Sequence, residues 1–171
     1  MKKIRGFTLV ELLVVMAILG ILVALVAGNF RTAQIRGRDA KRKSDLKQLS
    51  NSLELFYADH GKYPSESSSL VSACPFDPIL STGTACGWGT DTMTDGKTVY
   101  FKTFPEDPIS NGSYMYRIVP GSSDRKFQLF ARLENSQDPG IDAEVAALGY
   151  TCGTGGICNM AITSSNTNAT E

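Results

Sequence analysis

The stretch MKKIRGFTLVELLVVMAILGILVALVAG, residues 1–28, decides the fold of this 171-residue chain. Its residues 7–28 are almost entirely apolar, and their one charged side chain is Glu11. As a helix, this segment would be about 33 Å long, close to the roughly 30 Å hydrocarbon core of a bilayer. The pattern predicts a membrane-spanning helix over residues 7–28.

Glu11 is the feature of this segment that needs an explanation. The many Leu, Ile, Val and Phe side chains outweigh the cost of about 3 kcal/mol for one carboxylate in lipid. A cut between Gly6 and Phe7 would create an amine about one helical turn from Glu11. Buried charges are tolerated when paired, so the pair would set the register between parallel copies. The alternatives are a stray polar residue in an anchor and a removed signal peptide, which is usually shorter and uncharged.

The order of these residues resembles the class III signal of type IV prepilins and pseudopilins. Lys2-Lys3-Ile4-Arg5-Gly6 precedes Phe7-Thr8-Leu9-Val10-Glu11. The resemblance implies that a prepilin peptidase cleaves after Gly6 and methylates the amine of Phe7, with Glu11 at the position of the family's conserved glutamate. It is close up to Gly28, where many type IV pilins have a proline, and looser up to Pro64. The implied fold is α+β, with a long N-terminal helix packed at its C-terminal half on a small antiparallel sheet.

We divide the chain by composition and by this resemblance. The predicted segments are a leader over 1–6, a membrane and filament-core helix over 7–28, an amphipathic continuation over 29–60 and a globular head over 61–171. Within the head we expect an αβ-loop over 61–96, an antiparallel sheet over 97–134 and a disulfide loop region over 135–171.

A stripe of apolar residues on the continuing helix predicts where it meets the head. The spacing of three and four residues is typical of a helix face packed on a core. The stripe consists of Leu46, Leu49, Leu53 and Phe56, and Gly61 supplies a helix stop. His60, in the last turn, is interpreted as a helix-end residue rather than a ligand or a base.

The head pattern predicts a meander of three strands, 97–104, 113–119 and 126–134, followed by a short helix around 142–148. In the last strand, apolar residues from Phe127 to Leu133 alternate with more polar ones. The polar tail after Ala161 is expected to be mobile. The stretch from Asp107-Pro108 to Tyr116 loosely resembles the Asp-Pro…Asn…Tyr stretch of major pseudopilins, although the usual Trp-Gly is missing.

The charges are segregated along the chain. Residues 29–47 hold seven basic residues against two acidic ones, whereas seven basic residues face fourteen acidic ones from Gln48 onward. Because few apolar residues lie between Arg31 and Asp45, we expect the helix to protrude to about Ser44 and its basic stem to meet the acidic heads of neighbouring copies. The alternative is a solvated basic face near lipid phosphates.

The four cysteines form two local pairs, Cys74 with Cys86 and Cys152 with Cys158. Neither pair has the spacing of a zinc ribbon, so we predict two disulfides in an oxidising compartment. Counting basic residues would place the head in the cytosol. The cysteines and the prepilin-like leader place it outside, and we follow them.

The sequence contains no motif for catalysis, a cofactor or a small-molecule substrate. A calcium site formed by Asp138, Asp142 and Asp107 is the one metal alternative, because carboxylates in loops suit a hard cation. The prediction is otherwise no metal, no cofactor and no enzymatic activity.

These observations predict a structural subunit of a type IV pilus-like filament that serves adhesion, motility or DNA uptake. The implied partners are copies of the same chain, a prepilin peptidase, an inner-membrane assembly platform, assembly ATPases and, before assembly, membrane lipid. The chain would be a single-pass inner-membrane protein with its head outside, and then part of an extracellular pilus. One alternative is a pseudopilin of a type II secretion system. Another is an anchored binding module, and a weaker idea is a basic stem that binds DNA.

Overall fold

A computed structural model of the chain describes residues 6–154 and 156–171, without the side chains of residues 25–29. The chain divides into two compact units, Met1–Gly37 and Arg38–Glu171. Helix α1 (Leu9–His60) supplies the helical residues of the first unit and the first element of the second. The predicted leader, except for Gly6, lies outside the described residues.

The second unit adds three small antiparallel sheets and one short helix. The strands form sheets in the orders β1-β2-β3, β4-β5 and β6-β7-β8. This architecture confirms the predicted α+β class. The elements are β1 (Glu66–Ser67), β2 (Leu70–Asp77), β3 (Thr82–Ala85), β4 (Met93–Thr94), β5 (Val99–Phe101), β6 (Met115–Ile118), β7 (Phe127–Ala131), α2 (Ala143–Ala147) and β8 (Met160–Thr163).

The predicted apolar stripe of α1 forms the centre of the head's core. Leu46, Leu49, Leu53 and Phe56 are fully buried. They share one cluster with the inward-facing residues of β7. The helix ends at His60, and Gly61 takes the left-handed conformation that favours glycine, with φ at +71°. The predicted stripe and helix end are both confirmed.

Strand β7 is buried on both faces, which the predicted alternation did not anticipate. All five of its residues are buried. Phe127 and Leu129 face the core beneath α1, whereas Phe130 packs with Val145 of α2 and the second disulfide. The alternation was misleading because a second layer covers the outer face of this sheet.

The first predicted strand of the meander does not join the other two. Residues 99–101 pair instead with β4, on a hairpin whose connecting turn, residues 95–98, begins with Asp95-Gly96. The Asp95 carboxylate accepts hydrogen bonds from the N–H groups of Lys97 and Thr98 at 2.9 and 2.7 Å. Because Asp-Gly favours tight hairpin turns, this segment folds back on its own neighbour.

Two regions expected to lack strands contain them. The predicted loop over 61–96 holds the β2–β3 hairpin, whose base the Cys74–Cys86 disulfide closes. Its strand β3 is short and rich in small polar residues, so its sequence carries no apolar alternation. The tail predicted to be mobile supplies β8, which pairs with β7. By contrast, the short helix predicted around 142–148 is confirmed as α2, with Asp142 as its N-cap.

Candidate functional site

The N-terminal end of α1 is organised around Glu11. Thr8 is the residue before the helix, and its backbone N–H donates to the Glu11 carboxylate at 2.9 Å. The Thr8 hydroxyl donates to the same oxygen at 2.5 Å and accepts from the Glu11 N–H at 3.3 Å. This Thr-x-x-Glu arrangement is a capping box, which satisfies backbone N–H groups that the helix itself leaves free. Glu11 therefore has a partner within its own helix end.

The predicted cleavage point lies just before this cap. Gly6 and Phe7 precede the first helical residue and are exposed, with 78% of Phe7 accessible. A peptide bond outside regular structure and on the surface is the kind that a peptidase reaches most readily. The geometry of this bond is thus compatible with cleavage after Gly6.

The first unit carries its apolar side chains on the surface. Residues 6–24 are all exposed, including Leu9 at 79% and Leu13 at 62%. A helix that is apolar all round is stable when lipid or other helices surround it. Part of the predicted membrane helix, the side chains of residues 25–29, lies outside the described residues. Among those described, we find no helix with both the length and the apolar content needed to cross a membrane.

The second unit begins with a buried ionic network centred on Arg42. Its guanidinium donates two hydrogen bonds of 2.8 Å to Asp107, one on each carboxylate oxygen. It also donates to Asp39 at 2.8 Å and to Glu134 at 2.6 Å. The side chains of Arg42, Asp39 and Asp107 are at most 3% exposed. A planar guanidinium suits this role, because it can satisfy several carboxylates at once.

Two further basic residues of α1 flank this network. Arg38 binds both oxygens of Glu134, at 2.8 and 2.5 Å, and Lys43 forms an ion pair with Asp138. These contacts correct the prediction that the helix protrudes to about Ser44. Packing on the head begins at Arg38, because charged side chains can be buried when each has a partner. Three basic residues of the stem thus bind acidic residues of their own head.

The network shifts the pKa values of Glu134, Arg42 and Asp138. The hydrogen bonds from Arg38 lower the pKa of Glu134 to about 2, against the opposing effect of burial, and those from Arg42 act in the same direction. Burial disfavours the charged form of Arg42, but its hydrogen bonds to Asp107, Glu134 and Asp39 outweigh this and raise its pKa. The hydrogen bond from Lys43 lowers the pKa of Asp138. At neutral pH Glu134, Asp138 and Arg42 are therefore charged.

The stretch that loosely resembles the pseudopilin Asp-Pro…Asn…Tyr pattern connects the head to α1 at two points. Asp107 holds Arg42, and the Tyr114 hydroxyl donates to Asp45 at 2.9 Å. Gly112 lies so close to the Asp107 carboxylate that a Cβ atom there would clash with it. The stretch positions the head on the helix.

The structure also contains both predicted disulfides, Cys74–Cys86 and Cys152–Cys158. The second one is buried beside Phe130, and its loop pairs with the Asp107 stretch through Gly112 and Gly153.

The three aspartates of the calcium alternative are engaged elsewhere. Asp107 binds Arg42, Asp138 binds Lys43, and Asp142 caps α2. Within the described part of the chain, no three His, Cys, Asp or Glu side chains form a group able to hold a metal ion. The calcium alternative therefore has no geometric support. His60 contacts the Tyr100 hydroxyl at 3.1 Å and packs on Phe56, which fits its interpretation as a helix-end residue.

Sequence reasoning missed two features of these sites. Thr8 was overlooked, although Thr-x-x-Glu before an apolar run is a capping-box signal. Two of the three partners of Arg42, Asp107 and Glu134, were also missed, because they lie 65 and 92 positions away and no local pattern connects them.

Comparison with known proteins places these features in a family. Residues 1–27 match the prokaryotic N-terminal methylation motif, and residues 29–148 match the family described as type II secretion system (T2SS), protein G.

The individual relatives are type II secretion system core proteins G and a type IV pilin. The type II secretion system core protein G of Aeromonas hydrophila is 33% identical over 120 residues, which cover 70% of this chain and 76% of that protein. The protein of the same name from Pseudomonas aeruginosa is 30% identical over 141 residues, or 82% and 91% of the two chains. The type IV major pilin protein PilA of Myxococcus xanthus is 41% identical over 59 residues, which cover 34% of this chain and 27% of that one.

No solved structure matches the chain. The resemblance to type IV pilins and pseudopilins seen in the N-terminal residues is confirmed by the family matches. The chain therefore belongs to the type II secretion system protein G family, within the class of type IV pilin-like proteins.

Proposed function

We propose that the chain is a pseudopilin, a structural subunit that polymerises through its N-terminal helix into the filament of a type II secretion system. The family match over residues 29–148 is the observation that carries this proposal. The exposed apolar helix of the first unit supports it, because such a surface requires lipid or copies of itself. The role is structural and needs no catalytic step.

Glu11 and Phe7 have the central parts in assembly. Cleavage after Gly6 frees the amine of Phe7, and methylation leaves it a cation. In the capping box, Glu11 is held by Thr8 at the helix end, which keeps the carboxylate hydrogen-bonded before assembly. In the filament, Glu11 pairs with a Phe7 amine, its own or a neighbour's, and this pairing fixes the axial register between copies.

The proposed life cycle has two locations. The subunit is first held at the inner membrane by residues 7–28, with its head and both disulfides outside the cytosol. It is then drawn into the filament, where the apolar helices form the core. A prepilin peptidase, a membrane assembly platform and assembly ATPases act on it.

A type IV pilus remains the second candidate. The relative from Myxococcus xanthus is a major pilin, but the similarity covers only 34% of this chain. The similarity to the protein G relatives covers 70% and 82% of it. The sequence interpretation placed the pilus first because of the two cysteine loops and the missing Trp-Gly. The comparisons favour the secretion filament.

Three experiments test the proposal. Mass spectrometry of the mature chain is expected to show Phe7 at the N-terminus with one methyl group; an intact Met1 would contradict the processing step.

Glu11→Ala is expected to be processed and retained at the membrane but to form no filament, whereas the matched control Glu144→Ala on α2 assembles normally. Normal assembly of Glu11→Ala would overturn the role proposed for Glu11, whereas absence of any filament from the unmodified chain would overturn the proposed function and favour an anchored binding module. Deletion of the gene in its host then separates loss of protein secretion from loss of a surface pilus.

A further inference from the structure

Two adjacent apolar side chains stand exposed at the tip of the β2–β3 hairpin. Ile79 is 91% exposed and Leu80 is 70% exposed. They belong to the turn over residues 77–81 that joins the two strands. Large aliphatic side chains are more stable when buried than when exposed to water. Their position on a tip rather than in a sheet face suits insertion into a recess.

The tip is held in one conformation by its own hairpin. The Asp77 carboxylate accepts hydrogen bonds from the N–H groups of Ile79 and Leu80 at 2.8 and 3.1 Å. Behind it, Phe76 is buried in the core, and Cys74–Cys86 links the two strands. A surface that is already ordered loses little conformational entropy on binding.

The same head carries a shallow, largely polar groove with an aromatic wall. A groove of about 620 Å³ lies between the outer face of α1 and the end of β5, lined among others by Gln48, Ser52, Phe101 and Lys102. Phe101 is half-buried and offers an apolar surface. Lys102 is exposed and, within the described part of the chain, forms no ion pair that we observe.

The charges at the two surfaces are complementary. Asp77 places a carboxylate beside the apolar tip, and Lys102 places an ammonium group beside the apolar wall of the groove. Opposite charges at the edge of an apolar contact favour one orientation of docking over others.

The hairpin tip and the groove lie at different heights along the axis of α1. Phe76, at the base of the tip, packs against Phe56 and His60 with ring centroids 4.9 Å away in both cases. The groove faces residues 48–52 of the same helix. The difference of about eight residues corresponds to roughly 12 Å along the helix axis. A contact between two different surfaces of identical copies does not pair back on itself, so it can repeat along a filament.

We propose that Ile79 and Leu80 of one copy insert into the groove beside Lys102 of the next copy, forming a head-to-head contact of the filament. This inference rests on the proposed function, since it assumes that copies assemble. It assigns to the hairpin tip a role in addition to that of the N-terminal helix.

Cysteine cross-linking in assembled filaments tests the contact. Leu80→Cys and Thr103→Cys, both exposed, are introduced together into the full chain. Filaments of this double variant are expected to give a ladder of disulfide-linked multimers, and each single variant none. Mixing the two single variants should give dimers only. The matched control, Leu80→Cys with Glu144→Cys on α2, is expected to give no ladder.

A second experiment changes the charges at the two surfaces. Leu80→Lys is expected to reduce filament yield by about tenfold or more, because it removes apolar burial and places two ammonium groups together. Adding Lys102→Glu should restore much of the loss. Filaments that form in normal yield with Leu80→Lys and show no Leu80–Thr103 cross-link would overturn this contact alone. Complete absence of filaments from the unmodified chain would instead contradict the proposed function.

Discussion

At Arg42 the chain buries a charge in a position where its neighbours on the helix face, such as Leu46 and Leu49, are apolar. The guanidinium contacts three carboxylates from three parts of the chain: α1 itself, the Asp107 stretch and the segment after β7. Apolar side chains would pack on the head with less geometric restriction. Four directed hydrogen bonds from the guanidinium fix the rotation and the height of this part of the helix on the head, which would serve the proposed assembly in register.

Removing Arg42 should therefore destabilise the head strongly. Arg42→Met leaves Asp39 and Asp107 buried without their cation, and we expect it to lower the free energy of unfolding by about 3–5 kcal/mol. Urea unfolding of the full chain in detergent micelles, followed by the fluorescence of Trp88, measures this change. Lys47→Met, an exposed lysine on the same helix, is the control and should change stability by less than about 0.5 kcal/mol. Equal stability of the two variants would contradict a structural role for the network.

The lowered pKa of Glu134 predicts how the free energy of unfolding of the head depends on pH. Its pKa is about 2 in the folded head, below the ordinary value of 4.5, chiefly because of Arg38. Since the folded pKa is lower than the unfolded one, the contribution of Glu134 is present above about pH 4.5 and is lost as pH falls towards 2. Unfolding free energies of Glu134→Gln are thus expected to fall less steeply between pH 5 and 2 than those of the unmodified chain. Glu144→Gln should leave the slope unchanged. Parallel curves for Glu134→Gln and the unmodified chain would exclude the ion pair as the cause.

Among the elements, those with a local signal could be predicted from the sequence. The periodicity of Leu46 to Phe56, the stop at Gly61 and the Asp142 cap are each encoded within a few residues. The β4–β5 hairpin also had a local signal, Asp95-Gly96, which the interpretation of 97–104 as a meander strand overlooked. Strand β8 had none, because its place beside β7 depends on residues about 30 positions away.

The C-terminal tail is held by one buried side chain. Gln128 is fully buried, and its amide donates to the backbone carbonyl groups of Asn168 and Ala169 at 2.8 and 3.2 Å. Truncation after Ser164 removes these acceptors, so we expect a loss of about 1–3 kcal/mol from a buried amide nitrogen without an acceptor, while the amide oxygen keeps its hydrogen bond from Arg117. Combining the truncation with Gln128→Leu should recover part of this loss, as measured by urea unfolding. No difference between the truncated chains with and without Gln128→Leu would show that the amide is not the cause.

At the scale of the whole molecule, the basic residues of the stem fall into two groups. Arg38, Arg42 and Lys43 are neutralised within their own head, whereas Arg36 and Lys47 are exposed. The sequence predicted acidic partners for the stem correctly in kind but assigned them to neighbouring copies. It could not distinguish the two cases, because a single chain's charge pattern does not say which copy supplies the partner.

The N-terminal segment shows what sequence alone can establish about the site. The leader, the junction and the apolar run occur together in order, and residues 1–27 match the methylation motif; the roles of Gly6, Phe7 and Glu11 stay predictions. The use of Glu11 in the capping box appears only in the folded chain. Its use in a filament depends on a second copy.

The most direct measurement is a high-resolution electron cryomicroscopy map of filaments assembled from this chain. We predict that the Glu11 carboxylate lies within hydrogen-bond distance, about 3 Å, of a Phe7 amine belonging to the same or an adjacent copy. A map in which Glu11 approaches no Phe7 nitrogen, while the apolar helices still form the core, would contradict the claim that this ion pair sets the register.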